Sequence, residues 1–137
     1  MIFTPELIKK YEKKSVAELI TIATRVFNAY IRERDKYKPC ISSGKFTKLQ
    51  AGHFYSAGQY PALRFNPDNV HGQALGDNYF KSGNLIEYRK NLLRRIGEER
   101  LAALDTIAAS GKQNHFKWDR FYLIEVIETY KQKLKTM

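Results

Sequence analysis

Apolar residues recur at helical spacing at both ends of the chain and lose that spacing in the middle. Thr4 followed by Pro5 predicts an N-cap with proline in the first helical turn, and Leu7, Ile8 and Tyr11 continue the helix. Ser15-Val16-Ala17-Glu18 has the form of a capping box, in which serine and glutamate each bond the other's backbone N–H. It restarts a helix whose Leu19, Ile20, Ala23, Val26, Phe27, Tyr30 and Ile31 share one face, a stripe that core packing accounts for.

The pattern changes at Lys38-Pro39-Cys40, and from there to about Gly83 the chain is rich in Gly, Ser, Asn and Pro. Lys48–Phe54 and Ala62–Phe65 predict two short strands, with Asn66-Pro67-Asp68-Asn69 turning the chain after the second. A short helix between about Ala74 and Lys81 completes a strand–strand–helix unit. Asn84-Leu85-Ile86-Glu87 then reads as a capping box opening a helix that runs to Ile96 and ends at Gly97. Glu98–Ala109 is a further helix, closed by Ser110-Gly111. Asp119 caps a last one carrying Leu123, Ile127, Tyr130 and Leu134. The expected class is α+β, mostly helical, with a small central ββα unit flanked by N- and C-terminal helices. One domain is expected over residues 1–137: a helical N-terminal segment (residues 1–37), the core (residues 38–84) and a basic helical C-terminal segment (residues 85–137).

Charge adds a partner to this picture. Twenty-four Lys and Arg against fourteen Asp and Glu leave a net charge of +10, which favours a polyanion, because each phosphate contact releases condensed counterions. Nucleic acid is the expected partner, and an anionic membrane surface is the competitor. No apolar run approaches the ~20 residues that span a bilayer, and the N-terminus lacks an apolar signal-peptide core. The lone Cys40 excludes an intrachain disulfide and suits a reducing cytoplasm, the expected location.

The stretch from Cys40 to Glu99 carries the most specific signal. Its landmarks are Ala51-Gly52-His53-Phe54, Leu63-Arg64-Phe65-Asn66, Asn69-Val70-His71-Gly72-Gln73, and Ser82-Gly83-Asn84-Leu85 running into Glu87-Tyr88-Arg89. In order and spacing these blocks resemble the NinG (Rap) family of phage recombination proteins, itself similar to HNH nucleases. A looser likeness continues through Arg95-Ile96-Gly97-Glu98-Glu99 to Tyr130-Lys131-Gln132-Lys133-Leu134. The resemblance implies a ββα-metal, HNH-like core acting on branched DNA in a phage-infected or lysogenic bacterial cell. It places His53 as the base that activates water, chemistry that suits an imidazole with a pKa near 6.5. It places Asn69 at the central Asn, and Asn78 as a ligand of Mg²⁺ (or Mn²⁺), a hard cation that steadies the leaving oxygen. Arg64 becomes a phosphate clamp, since guanidinium binds phosphate in a bidentate manner.

Each residue also has a plainer reading. His53 can be a packing histidine, Asn69 can simply shape a turn, and Asn78 can be a solvated helix residue. His71 can be a second ligand, a phosphate contact or a partner of backbone, and His115 reads as a loop residue.

The chain departs from the family pattern in two places. Members carry two C-x-x-C pairs that hold a structural zinc; here the pairs read Cys40-Ile41-Ser42-Ser43 and Ala74-Leu75-Gly76-Asp77. A structural zinc needs four strong ligands, so none is expected and Cys40 is a remnant. The acidic residue that the family has three positions before the histidine is Gln50 here. An amide binds Mg²⁺ more weakly than a carboxylate does, which leaves Asp77 or Asn78 to cover for it.

Lys81, Arg89, Lys90, Arg94 and Arg95 cluster on or near the helix after the core as expected DNA contacts, with an exposed charged face as the alternative. The leading reading is a metal-dependent, structure-selective DNA endonuclease acting on Holliday junctions or D-loops. The second is a non-catalytic DNA-binding accessory of recombination. The third is an interaction module docking through the Leu123–Leu134 stripe. A homodimer would match the paired strands of branched DNA.

Overall fold

A computed structural model of the chain describes residues 2–80, 84–110 and 116–137, with the backbone alone for 78–80. The fold is α+β and mostly helical, with helices flanking one two-stranded antiparallel sheet. The order is α1 (Pro5–Tyr11), α2 (Val16–Asp35), β1 (Leu49–His53), a 3-10 turn (Pro61–Leu63), β2 (Val70–Ala74), α3 (Leu75–Phe80), α4 (Leu85–Ile96), α5 (Glu98–Ser110) and α6 (Arg120–Lys135). The chain divides into two compact units, Met1–Tyr30 with Lys117–Met137, and Ile31–Phe116.

The first unit is built from α1, most of α2, and α6. Thr4 caps α1 by accepting the Leu7 N–H at 3.2 Å. The Ser15 box closes in both directions, Glu18 N–H to Ser15 Oγ at 3.1 Å and Ser15 N–H to Glu18 Oε1 at 3.2 Å. Asp119 caps α6 through the Phe121 N–H at 3.1 Å. Leu19, Ala23, Phe27, Leu123, Ile124 and Ile127 are buried almost completely, and Phe27 meets Tyr130 edge to face at 4.8 Å between centroids. The Leu123–Tyr130 stretch of the stripe is therefore core. Its apolar side chains are packed away from solvent, while Glu125 is exposed and Leu134, the last residue of the stripe, is half-buried.

In the second unit Leu49 pairs with Ala74, and the register runs through Ala51 with Gly72 to His53 with Val70. The second strand is not where the apolar run Ala62–Phe65 predicts it. That run begins on a 3-10 turn set by Pro61, with Leu63 N–H on the Tyr60 carbonyl at 2.9 Å and Arg64 N–H on the Pro61 carbonyl at 3.2 Å. The real strand, Val70-His71-Gly72-Gln73-Ala74, escapes the apolar pattern because two of its buried positions are the polar residues His71 and Gln73. A further correction concerns Asn84, which sits in the left-handed region at φ 47 and makes no side-chain cap bond, so the capping box expected there does not form. Gly97, at φ 87, ends α4 as expected.

A two-stranded sheet has two outer edges, and here side chains and loops take the place of neighbouring strands. The Val70 carbonyl accepts from Arg34 Nη2 at 2.7 Å, and the Gly72 N–H donates to Asp35 Oδ2 at 2.8 Å. The Gly72 carbonyl accepts the Ile41 N–H at 3.0 Å, and the Ala74 N–H reaches Cys40 Sγ at 3.2 Å. Across the sheet, the Gly52 carbonyl accepts the fully buried Tyr88 hydroxyl from α4 at 2.6 Å. These bonds matter because a buried, unpaired backbone group costs about 1–3 kcal/mol. Tyr88 also belongs to an apolar cluster with Ile41, Leu63, Leu92, Leu101 and Leu104.

Candidate active site around His53

His53 is the last residue of β1, and its Nε2 lies 3.0 Å from the Arg64 carbonyl. A carbonyl oxygen can only accept, so Nε2 carries the proton in the neutral ring and Nδ1 keeps the lone pair. Burial pushes the His53 pKa below its ordinary value; the Arg64 carbonyl opposes this and the Arg64 charge adds to it. The ring is thus neutral at physiological pH, the state a proton acceptor requires. Arg64 orients His53 through its backbone carbonyl, which follows the 3-10 turn. Its guanidinium lies over the Phe65 ring at 5.9 Å from the centroid.

Asn69 is completely buried, and its amide works on backbone alone. Oδ1 accepts the Tyr55 N–H at 2.8 Å, while Nδ2 donates to the Tyr55 carbonyl at 2.9 Å and the Leu63 carbonyl at 3.1 Å. The loop between the strands is pinned by these bonds at its start and near Arg64. Asn69 therefore ties the backbone at Tyr55, just past β1, to the turn that supplies the carbonyl for His53.

Partnered residues in an antiparallel pair share a face. His53 and Val70 lie on one face of the sheet, while Gln50 lies with Gln73 on the other. Asp77 accepts from Ser42 Oγ at 2.9 Å, and Ser42 in turn accepts from Gln73 Nε2 at 2.9 Å. The Asp77 carboxylate is thereby tied to the side that Gln73 faces. The Asn78 side chain and all of Lys81 lie outside the described residues, as does His115. Among the described residues no three His, Cys, Asp or Glu side chains converge as a metal group would need. These donors do not compose a Mg²⁺ set, which calls for several oxygens around one point.

The positions that resemble zinc ligands form a hydrogen-bonded hub. Cys40 Sγ accepts the N–H groups of Ala74 at 3.2 Å and Ser43 at 3.4 Å, and lies 3.4 Å from Ser42 Oγ and 3.5 Å from Asp77 Oδ2. One thiol and one carboxylate fall short of four zinc ligands. Burial raises the Cys40 pKa, but the Ala74 N–H and the Ser42 and Ser43 hydroxyls more than reverse that, leaving the thiol below its usual value.

The structure separates the predicted basic residues. Lys90 and Arg94 are exposed on α4, with Lys90 3.3 Å from Glu87 and Arg94 bonded to Asn91 at 3.2 Å. Arg89 forms a two-pronged pair with Asp105 at 3.1 and 2.8 Å and lies over the Phe54 ring at 5.7 Å. Arg95 turns inward to the Pro39 carbonyl at 3.2 Å and His71 Nδ1 at 3.4 Å.

That inward turn joins a cluster that sequence reasoning missed. Asp35 is fully buried and accepts from Arg34 at 2.7 and 2.9 Å. His71 bonds the Asp68 carbonyl through Nε2 at 3.0 Å and faces Arg34 and Arg95 with Nδ1. Burial raises the Asp35 pKa, but the Arg34 and Gly72 bonds outweigh it and hold the carboxyl at about 2. Burial, helped by the Arg34 charge, lowers His71 to about 4. A signal was available: Asp35 follows Phe27 and Ile31 at four-residue steps, which puts a charge on the apolar stripe of α2.

These features define a small α+β protein whose sheet is organised by buried polar groups and carries two histidines, His53 and His71, each oriented by a backbone carbonyl. The family model described as Bacteriophage Lambda NinG protein matches residues 5–137, and the chain belongs to the NinG family. It is 40% identical over 132 residues to Protein ninG of Escherichia phage lambda, covering 95% of this chain and 62% of that protein. Protein ninG of Salmonella phage P22 is 39% identical over 132 residues, 95% of this chain and 63% of the relative. That of Enterobacteria phage H19B is 42% identical over 113 residues, 81% of this chain and 54% of the relative. The chain thus spans less than two thirds of these relatives' length. No solved structure matches it. Among the described residues no helix is long and apolar enough to cross a membrane.

Proposed function

We propose that the chain is a structure-selective DNA endonuclease of phage recombination, acting on branched DNA such as Holliday junctions or D-loops in the cytoplasm of the host cell. The observation that carries this reading is the bond from His53 Nε2 to the Arg64 carbonyl, which leaves Nδ1 as a proton acceptor. His53 takes a proton from water as the water oxygen attacks phosphorus, and the P–O3′ bond breaks. The departing 3′ oxygen takes a proton from solvent, while Asn69 keeps the ring and its carbonyl partner in place. The net charge of +10 supports a polyanionic substrate. Lys90 and Arg94 are outward contacts for backbone phosphates, with Arg64 and Arg89 beside the site. Magnesium or manganese would neutralise charge growing on the phosphate. The described side chains do not form its ligand set, so the steps assigned to this chain end at His53.

A second reading, a DNA-binding accessory without cleavage, is favoured by one observation: Asp77 is engaged by Ser42 and Cys40 rather than set beside His53. Both readings are tested by incubating four-way junction, D-loop and duplex DNA with the protein and with His53→Ala in Mg²⁺ or Mn²⁺. The first predicts cleavage by the wild type, lost in the variant, with binding retained in both. Binding by both without cleavage by either selects the accessory.

A further inference from the structure

Residues 36–48 link α2 to β1 and contain Lys36, Lys38, Lys45 and Lys48 with no acidic residue. The same segment carries Tyr37, 84% exposed, and Phe46, 77% exposed, the two most exposed aromatic side chains among the described residues. The backbone that carries them is held by hydrogen bonds. The Lys38 N–H bonds the Asp35 carbonyl at 2.8 Å, and Ile41 N–H bonds the Gly72 carbonyl of β2 at 3.0 Å. The Cys40 N–H bonds the Lys45 carbonyl at 2.8 Å and Gly44 N–H the Cys40 carbonyl at 2.9 Å, a turn that Gly44 closes at φ 74. Cys40 and Ile41 anchor it, with 1% and 0% exposure. A rigid loop loses little entropy when a ligand binds.

We infer that this loop is a subsite for unpaired nucleotides, with Tyr37 and Phe46 taking base faces and Lys45 and Lys48 the flanking phosphates. The inference rests on the nucleic-acid reading above and names the portion of a branched substrate that the loop receives. Aromatic rings interleaved with lysines are the combination that binds single strands, because every base offers a π-face and each link a charge. A duplex keeps its base faces stacked internally and offers this loop phosphates alone. Lys36 and Lys38 already have acidic neighbours, Glu33 and Asp35. Among the described residues Lys45 and Lys48 have none, so their charge is available. Arg94 lines a shallow cavity with Pro39 and Gly44 at the base of the loop and extends the basic surface. A lipid surface fits less well: the loop's one branched aliphatic side chain, Ile41, is fully buried and cannot enter acyl chains.

The test uses the full chain and fluorescence anisotropy with a labelled oligo(dT) strand and a blunt hairpin duplex at one salt concentration. The double variant Tyr37→Ala/Phe46→Ala is expected to bind oligo(dT) at least roughly ten-fold more weakly and the hairpin unchanged. Tyr37→Phe should bind like the wild type, and Lys45→Gln/Lys48→Gln should weaken both probes and flatten the salt dependence. Both aromatics are exposed, so an unchanged melting temperature confirms that the double variant folds. Undiminished oligo(dT) binding by that variant overturns the inference alone. So does aromatic-dependent capture on phosphatidylserine vesicles with no effect on oligo(dT). A wild type that binds neither DNA probe overturns the nucleic-acid reading, and this inference with it.

Discussion

The two compact units solve the problem of a stable core in different ways. In Met1–Tyr30 with Lys117–Met137 the buried residues are apolar and aromatic, and polar side chains work at helix ends and on the surface. Every buried polar or charged residue described, Asp35, Ser42, Asn69, His71, Gln73 and Asp77, falls in Ile31–Phe116. Apolar packing tolerates exchange of one hydrophobic side chain for another of similar volume. A buried carboxylate or amide accepts far fewer arrangements, because each lone pair and proton must find a partner. The unit that must hold a histidine in one tautomer is the one specified by hydrogen bonds.

The largest expected effect follows from removing the centre of that network. Asp35→Ala leaves the Gly72 N–H and two guanidinium groups without their carboxylate, and should lower stability by about 3–5 kcal/mol in urea unfolding. It should also abolish hydrogen-exchange protection at the Gly72 amide. Leu123→Ala in the apolar unit should cost about 2–5 kcal/mol through its cavity. That variant should leave the Gly72 amide and the His53 ring signals unchanged below the unfolding transition. Loss of both in Leu123→Ala would break the distinction between the units.

The units should differ in pH response as well. His71 has a folded pKa of about 4 against about 6.5 when unfolded. Between those values the unfolded chain binds a proton that the native chain does not, so stability falls as pH drops through this window. The loss reaches about 3 kcal/mol by pH 4. Asp35, held at about 2, adds a second decline as pH falls from the ordinary aspartate value toward 2, because its stabilisation needs the ionised form. His71→Gln should remove most of the first decline, leaving the part that His53, also held below its ordinary value, contributes, and should keep the second. A first decline undiminished in His71→Gln would assign it to another group.

Asn69→Ala should cost about 1–3 kcal/mol, since three backbone groups lose a partner, and should loosen the loop between Tyr55 and Leu63. A smaller effect should come from Gly52→Ala, whose added Cβ would fall well inside contact distance of Gln73 Oε1. The end of the Gln73 side chain can shift, but its Cβ is also inside contact distance and is fixed by the strand. A cost in the lower part of about 1–3 kcal/mol is therefore expected by thermal unfolding.

Much of this fold was legible in the sequence, and the reasons are local. Thr4-Pro5, the Ser15–Glu18 box, Gly97 and Asp119 are signals written in one or two residues, and the helices begin and end where they say. The strand at Val70–Ala74 was hidden because His71 and Gln73 are buried, which inverts the usual apolar pattern. Their partners, Arg34, Asp35 and Arg95 for one and Ser42 for the other, come from distant segments that no local pattern links. Asn84 failed in the opposite sense: a good cap residue took a left-handed backbone and left its side chain unused as a cap. His53 and Asn69 could be picked out through the family resemblance, whereas the carbonyl of Arg64 that gives His53 its tautomer could not. That contact belongs to the backbone, and the identity of a residue says little about where its carbonyl points.

In the Ile31–Phe116 unit the Arg64 carbonyl sets the tautomer of His53, leaving the lone pair of a neutral ring on Nδ1. This tautomer is tested most directly by long-range ¹⁵N–¹H correlation spectra of the histidine side chains in the intact protein at neutral pH. His53 is expected in the Nε2–H form with an unprotonated Nδ1, titrating below the ordinary histidine value. An Nδ1–H ring, or a ring already charged at pH 7, would contradict that assignment.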